Sequence, residues 1–447
     1  MNRPPLNDDQ DAAVKAVSAF IISDEKEFFL TGGPGVGKTF TTRNLAEHLP
    51  DILRNYRQAM GTKGGDKSVE LTSTTNKAAA VLAEQTGFET STIHSFLGVT
   101  PKFDKSIGRS KLVRTNKWRV HSDVILFIDE ASMIDAKLYE LINEGTDDSC
   151  KIIYIGDKNQ LAPVMEKLSP AVALAADKDL HYEITKPVRN AGSPALLDLC
   201  NRLRDDILIE QSKPNLTNWP SVPGEIEYLD GPAFQQLVSD KFGPGGAVKE
   251  TDAELGCRIL CYTNRAVIGY NQYIRKLRGL PEHPIPGEVL VCNDYFKVGS
   301  SSAFNVEEMV TIHEVGDVEN VPICQHNSLP ARKIVISGFK ITRCEVWCPE
   351  SMDQYKKLRN FYKNHKAWKE FFKMEELFID LRNREAATVY KAQGSTHDSV
   401  IMVMSDIFTS RDINQLRRML YVGASRARNK VYVYDKGIHE NARGIYK

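Results

Sequence analysis

The chain has 447 residues, of which 42% are hydrophobic and 26% charged, with 58 basic residues against 58 acidic ones. This length predicts two to four domains of ordinary globular composition, and no apolar run reaches the roughly eighteen residues of a membrane span. Zero net charge excludes a bulk basic field, so any nucleic-acid contact must use a local groove. The polar segment MNRPPLNDDQ does not have the form of a signal peptide. Eight cysteines are scattered, and the closest pairs, Cys257/Cys261 and Cys344/Cys348, lack CxxC spacing and a neighbouring histidine pair. They read as reduced thiols rather than a zinc site, which predicts a cytoplasmic protein.

In chain order, the pattern predicts a helix over 8–22 and a strand over 28–30. The sequence GGPGVGKT follows at 32–39. Strand, glycine-rich turn and helix (here 40–49) form the context in which GxxxxGKT cradles phosphate. Gly33, Pro34, Gly35, Val36, Gly37 and Phe40 form the binding loop, whose free backbone N–H groups can surround an anion, and the helix dipole favours it. Lys38 reaches the β- and γ-phosphates, and the Thr39 hydroxyl joins a Mg²⁺ shell. A nucleoside triphosphate is the expected ligand. A strand at 69–72 and a helix at 76–86 come next. Residues 100–121 then break the rhythm as an insertion, expected to be a hairpin, with seven Lys/Arg and one Asp between Lys102 and Arg119. Charge alone favours a solvated face there.

The run VILFIDE at 124–130 is a buried strand delivering two carboxylates at its C-terminal end, where open α/β sheets bind ligands. Asp129 suits Mg²⁺ and Glu130 suits activation of the attacking water. After a helix at 136–144 and a strand at 152–155, Gln160 is placed to contact the γ-phosphate. A second αβ pattern without a GKT loop follows, with strands at 258–263, 399–404 and 430–434 and helices at 193–204, 264–278 and 414–422. Between its parts, residues 285–379 begin β-like, at 288–291, 309–313, 333–336 and 339–346. They end in one long helix bearing Tyr355, Leu358, Tyr362, Trp368 and Phe372, a stripe that reads as packing more than as a binding platform.

Eight short strings stand in one order: GGPGVGKT (32–39), TTNKAAAVL (74–82), STIHSFLG (91–98), IDEAS (128–132), GDKNQLAPV (156–164), KPVRN (186–190), TVYKAQGST (388–396) and YVGASRARN (421–429). In this order the chain resembles the superfamily 1 helicases, in the RecD-like branch with its Dda-like phage members. The resemblance spans Gln10 to Arg428. It implies an α/β fold of two RecA-like P-loop NTPase-type domains with parallel sheets, a small pin insertion, and an SH3-like β domain with a helical arm. The implied boundaries are 1–180 for the first motor domain with the pin at 99–121, 181–284 with 380–447 for the second, and 285–379 for the SH3-like insertion.

By resemblance, Gln10 recognises adenine, Gln160 senses the γ-phosphate, Arg189 and Arg426 complete the site, and Gly394 lies in a loop touching nucleotide and nucleic acid. Thr75, Thr92, His94 and Ser95, then Asn264, Thr388, Tyr390, Lys391 and Ser395, correspond to segments that contact a single DNA strand. Phe96 is equally suited to a base or to the core. Two positions depart from the family, Thr74 for Pro and Tyr390 for His. Position added to charge turns the basic insertion into a duplex wedge, with Phe103 or Trp118 as its apolar splitter. The resemblance further implies 5′→3′ movement on single-stranded DNA, action at single-strand/duplex junctions in replication or recombination, a single-strand-binding protein as companion, activity as a monomer, and a bacterial or phage-infected host cytoplasm. Two other functions fit the same cleft: an ATP-gated grip without unwinding, and an RNA-directed enzyme.

Overall fold

The computed structural model describes residues 5–60, 67–104, 109–163, 168–177, 179–186, 193–207, 219–244, 256–299, 302–339 and 341–435. By contacts the chain forms two compact units. The first holds the chain up to Asp104, Arg109–Pro214 and Asp412–Asn429; the second holds Asn215–Arg411 and the chain from Lys430 onward.

In the first unit, α1 (Asp8–Ile22), β1 (Glu27–Gly32), α2 (Lys38–Met60), β2 (Ser68–Ser73), α3 (Asn76–Thr86), β3 (Thr90–Thr92) and α4 (Ile93–Leu97) lead to a hairpin of β4 (Val99–Asp104) and β5 (Arg109–Arg114). Then come β6 (Val124–Asp129), α5 (Ala136–Glu144), β7 (Lys151–Gly156), α6 (Pro170–Ala173), β8 (His181–Ile184) and α7 (Pro194–Ile207). Six strands pair in parallel in the order β3-β2-β6-β7-β1-β8. The strand before the phosphate loop is thus separated from the carboxylate strand by one strand, β7, as a RecA-like sheet requires. Alternate residues feed two cores. Phe28, Leu30, Phe127 and Ile153 pack with Leu45 and Leu49 of α2 on one face. Phe29, Leu126, Ile128 and Tyr154 pack with Leu138 and Leu141 of α5 on the other. Covering on both faces is why these strands read as continuous apolar runs.

In the second unit the elements are β9 (Ile226–Leu229), α8 (Gly231–Phe242), β10 (Cys257–Cys261), α9 (Asn264–Leu277), β11 (Val289–Cys292), β12 (Phe296–Val298), β13 (Ser302–Phe304), β14 (Met309–Pro322), β15 (Ser328–Ser337), β16 (Cys344–Pro349), α10 (Met352–Asn364), α11 (Trp368–Leu377), β17 (Leu381–Arg382), β18 (Ala386–Thr388), β19 (His397–Val403) and α12 (Met404–Ile407). The chain closes with α13 (Ile413–Ser425), which clusters with the first unit, and β20 (Ala427–Tyr434). The second RecA-like sheet has the order β18-β10-β19-β20-β9, with β10 parallel to β18 and β19, and β20 parallel to β9. The insertion is an antiparallel sheet in the order β16-β15-β14-β11-β17, accompanied by the hairpin β12-β13.

Three expectations are corrected. The helix expected to end at residue 49 runs on to Met60 through Pro50. The proline forfeits one backbone hydrogen bond, but Leu45, Leu49 and Leu53 are all buried on the same side, and their packing holds the helix together. The single long arm helix is instead two, because Lys366, between α10 and α11, has a left-handed φ of 55°. The strand expected over 339–346 begins only at Cys344; Phe339 lies outside it and is 78% exposed.

A buried charge cluster ties the insertion to the second RecA-like sheet. Glu307, itself at φ 63°, pairs with Arg258 of β10 at 3.4 Å, with Arg382 of β17, and with Lys391 at 3.4 Å. Burial pushes the Glu307 carboxyl up, but Arg382, Arg258 and Lys391 together outweigh it and hold it below its ordinary 4.5. A carboxyl depressed by folding stabilises above its unfolded pKa, and that contribution is lost as pH falls through the folded value. Glu307→Gln leaves three cations facing a neutral amide. It should cost roughly 3–5 kcal/mol at pH 7 and remove this site's share of the loss below pH 4.5. Urea denaturation at pH 7 and pH 4 measures both; an unchanged midpoint at pH 7 contradicts the assignment.

Candidate active site

The parallel register places three loop beginnings at one level. Thr31 of β1 pairs with Gly156 of β7, and Ile128 of β6 pairs with Tyr154. The phosphate loop, the Asp129–Glu130 pair and the Gly156–Gln160 segment therefore leave the sheet side by side. Gly35 and Gly37 have φ of 79° and 86°, a region closed to most side chains, and this turns the loop's backbone inward. Lys38 Nζ donates to the carbonyl oxygens of Gly32 (2.7 Å) and Gly33 (3.1 Å), which places its ammonium at the first end of the loop. Gln10 is buried; its Nε2 donates to the Val36 carbonyl at 3.1 Å. Its Oε1 accepts from Asn7 N in a capping box that fixes the start of α1. Asp9 accepts from the backbone of Thr185 and Lys186, which anchors α1 to the segment after β8.

Burial first, and the adjacent Glu130 charge second, raise the Asp129 carboxyl to about 7. Two neighbouring carboxylates at a buried strand end favour a bound cation. With Thr39 opening α2 nearby, the donor set is hard and all oxygen, which suits Mg²⁺ shared with phosphate oxygens. No cluster of three or more His, Cys, Asp or Glu side chains that could hold a metal exists among the described residues. Glu130 occupies the left-handed region, at φ 54° and ψ 41°. A non-glycine residue held there is strained by about 1–3 kcal/mol. Gln160 is only 5% exposed, and its Oε1 has no partner among the described residues.

An AAA-domain family model matches residues 13–166, and a UvrD-like helicase C-terminal domain matches residues 385–434. The ATP-dependent DNA helicase dda of Enterobacteria phage T4 is 25% identical over 448 residues, covering 92% of this chain and 95% of that protein. The ATP-dependent RecD2 DNA helicase of Deinococcus radiodurans is 32% identical over 146 residues, covering 33% of this chain and 17% of that one. The chain is thus similar, over nearly its whole length, to a superfamily 1 helicase of the RecD-like branch. The Pif1 helicase of Candida albicans aligns with a TM-score of 0.47 and 18% identity, over 98% of this chain and 96% of that one.

The residues expected on the nucleotide side are joined to the first group of expected DNA-facing residues. Thr74 N donates to the Asp129 carbonyl, and Thr74 Oγ1 to the Glu130 carbonyl at 3.4 Å. Thr75 caps α3 and Thr92 caps α4, where its Oγ1 accepts from Ser95 N. His94 is pushed down by burial, with Asp135 offsetting part of the shift, so its ring is neutral near pH 7. Thr74, Thr75 and His94 line a cavity of about 270 Å³ with Pro101, Lys111 and Met133. Phe96 stacks on His121 at 3.9 Å. Trp118 packs against the core beneath the hairpin, under the Arg114 guanidinium. That position is the base of the hairpin, not its tip. The Phe103 side chain and Arg189 lie outside the described residues.

The second group lies in the second unit. Asn264 is exposed at the start of α9. Thr388 and Ser395 are buried, and Thr388 Oγ1 accepts from Lys391 N. Lys391 Nζ donates to Asn293 Oδ1 at 2.7 Å, and Gly394 has φ 72°. Tyr390 is half-buried. Arg426 ends α13 in the first unit, buried, with Nε donating to the Val422 carbonyl and Nη2 to Ser425 Oγ.

Sequence reasoning missed four residues at this edge: Asp157, Arg204, Arg418 and Tyr421. A Cβ on Gly33 would stand 3.5 Å from Tyr421 Oη and 3.8 Å from Arg204 Nη1, so both side chains flank the loop. Their only sequence signal was the i, i+3 spacing of Arg418 and Tyr421 on a buried helix.

Gly37→Ala forces an L-residue into the left-handed region, at about 1–2 kcal/mol. A roughly tenfold weaker fluorescent ATP analogue should result. Unchanged affinity in a binding titration would mean that the loop conformation is not what holds the phosphates.

Proposed function

We propose that this chain is an ATP-driven motor that moves 5′→3′ along single-stranded DNA and separates duplex at a junction. The observation that carries the reading is the hydrogen-bonded edge shared by Thr74 with Asp129 and Glu130: the residue beside a DNA-facing threonine is bonded to the backbone of the two hydrolytic carboxylates. The reading takes residues 1–180 as the first motor domain with the pin at 99–121, residues 181–284 and 380–447 as the second, and 285–379 as the SH3-like insertion with its arm.

Lys38 and the loop backbone hold the β- and γ-phosphates, and Gln10 holds the adenine side. Thr39 and Asp129 are the residues that would carry Mg²⁺, which neutralises phosphate charge when bound. Glu130 takes a proton from water as the water oxygen attacks the γ-phosphorus. The bond to the β–γ bridging oxygen breaks, and its electron pair leaves with ADP. Arg189 and Arg426 neutralise charge on the transferring group, and Gln160 responds to its presence. Loss of the γ-phosphate then releases a closed state, a common form of switch. Thr75, Thr92, His94 and Ser95, with Asn264, Thr388, Tyr390, Lys391 and Ser395, grip sugar and phosphate without reading bases. The basic hairpin meets the duplex, with Phe103 favoured as splitter over the core-packed Trp118. Action as a monomer in replication or recombination, alongside a single-strand-binding protein in a bacterial or phage-infected cytoplasm, completes the proposal.

ATPase activity should rise strongly on adding single-stranded DNA, and less with RNA. Glu130→Gln should bind ATP and DNA as before while turnover falls by about 10²–10⁴; undiminished hydrolysis removes Glu130 from its role. Replacing residues 102–119 with a short neutral turn should abolish unwinding of a forked duplex while leaving DNA-stimulated ATPase in place. Unwinding that survives the replacement sinks the wedge, and an intact chain that hydrolyses ATP without separating strands is an ATP-gated grip instead.

A further inference from the structure

The Gly156–Gln160 segment is wound tightly on itself. Asp157 is 1% exposed; its Oδ1 accepts from Asn159 N at 2.9 Å, and its carbonyl accepts from Gln160 N at 3.1 Å. Lys158 Nζ pairs with Glu183 at 2.6 Å. Lys158 N also donates to Thr31 Oγ1 at 3.3 Å, and two further anchors of this loop come from α13, more than 250 residues away in sequence. Tyr421 Oη donates to Asp157 Oδ2 at 2.6 Å. Arg418 Nη1 donates to the carbonyl of Lys158 at 3.0 Å and to that of Gln160 at 2.6 Å. Spaced three apart, the two side chains share one helix face. The same helix ends at Arg426, and Tyr421 Oη also stands beside Gly33 of the phosphate loop.

Both contacts are of the stronger kind. One is a phenol donating to a buried carboxylate; the other is a guanidinium donating to carbonyls, and charge-assisted bonds exceed neutral ones about twofold. Burial pulls the Arg418 guanidinium down, and Asp157 offsets part of this. Packing does not require either polar group. Leu416, Met419, Leu420 and Val422 already bury α13, and a methionine and a phenylalanine would fill the same volumes. What the polar atoms add is a fixed position for the Gln160 backbone, while the Gln160 Oε1 remains without a partner among the described residues. A buried amide with an unsatisfied end on a clamped backbone is suited to report a ligand atom arriving beside it.

We propose that Arg418 and Tyr421 are positioning residues for the γ-phosphate sensor: they clamp the loop that carries Gln160 and pass its response to the helix that ends in Arg426. This rests on the reading of Gln160 as that sensor. Neither residue touches the reacting atoms; both act through Gln160.

The test uses the full chain and variants Gln160→Ala, Arg418→Met, Arg418→Lys and Tyr421→Phe, with the two doubles that combine Gln160→Ala with Arg418→Met or Tyr421→Phe. The first readout is the affinity ratio of ATPγS to ADP, without DNA. Arg418→Met and Tyr421→Phe should each lower this ratio about tenfold while ADP affinity changes less than about twofold, and Arg418→Lys should recover part of the loss. In the Gln160→Ala background the second change should add less than about twofold, because residues acting through one group do not add. The same pattern is expected in kcat of DNA-stimulated hydrolysis, with KM for ATP nearly constant. Should Arg418→Met fail to fold, Tyr421→Phe carries the test alone. Losses that multiply in the doubles, an equal loss for ADP, or a wild-type chain that does not distinguish the two nucleotides would each overturn the proposal. A wild type that discriminates ATPγS but gains no activity from DNA rejects the motor reading and leaves the clamp standing.

Discussion

Parallel registration of β1, β7 and β6 is the constraint on which the rest of this chain depends. In the proposed mechanism, phosphates bind at one strand's loop and water is activated at the end of another. The two are useful only if both strands stop at the same height. The pairs Thr31 with Gly156 and Ile128 with Tyr154 ensure it. A slip of one residue would displace a loop by roughly 3.3 Å and turn every core side chain to the wrong face. Phe28, Phe29, Leu126, Phe127, Ile153 and Tyr154 make such a slip expensive, since each buried large side chain contributes about 1.5–3 kcal/mol. This packing is also what sustains the unfavourable features at the edge: a buried Asp129 whose charge is opposed, and a Glu130 held in a strained backbone conformation.

The elements at that edge were legible in the sequence because they are local. A phosphate loop is one turn long, and a carboxylate pair at a strand end needs only the strand before it. Lys38, Thr39, Asp129 and Glu130 could be placed on their elements from a few neighbouring residues each. The parallel sheet followed from the alternation of continuous apolar runs with helices, whereas the order of its strands did not. Less legible were the features decided by distant partners. The bond from Tyr421 to Asp157 joins residues that nothing in either segment marks as a pair. Pro50 looks like a helix end until the leucines on both sides of it are seen in one core. Lys366 breaks the arm because of a backbone angle that a lysine does not advertise. Trp118, exposed by its basic neighbours in a linear reading, turns out to support the hairpin from beneath.

Polar side chains expected to face DNA divide by how much of their bonding capacity folding consumes. Thr75 and Thr92 spend an acceptor on helix caps, and Thr388 does the same for Lys391 N. Thr92 also gives its hydroxyl proton to Ser95 Oγ, so what these residues could offer a strand is mainly rigid placement and the backbone N–H groups they orient. Ser95 and Asn264 are exposed and retain more freedom. Such a mixture suits a surface that must release its ligand repeatedly. A few fixed donors set direction, and more weakly held ones limit the affinity of any single grip.

The Glu307 cluster has a consequence for how this protein could have been assembled. Arg258 belongs to the second RecA-like sheet, Arg382 to a strand of the inserted sheet, and Lys391 to a motif segment of the motor. One carboxylate from the insertion balances all three. Cutting out residues 285–379 would therefore remove this carboxylate and leave Arg258, Arg382 and Lys391 together without it. The insertion behaves less like a cassette than like a graft whose host tissue has grown around it. Exchange of this segment between related chains requires the charges on both sides of the seam to travel together.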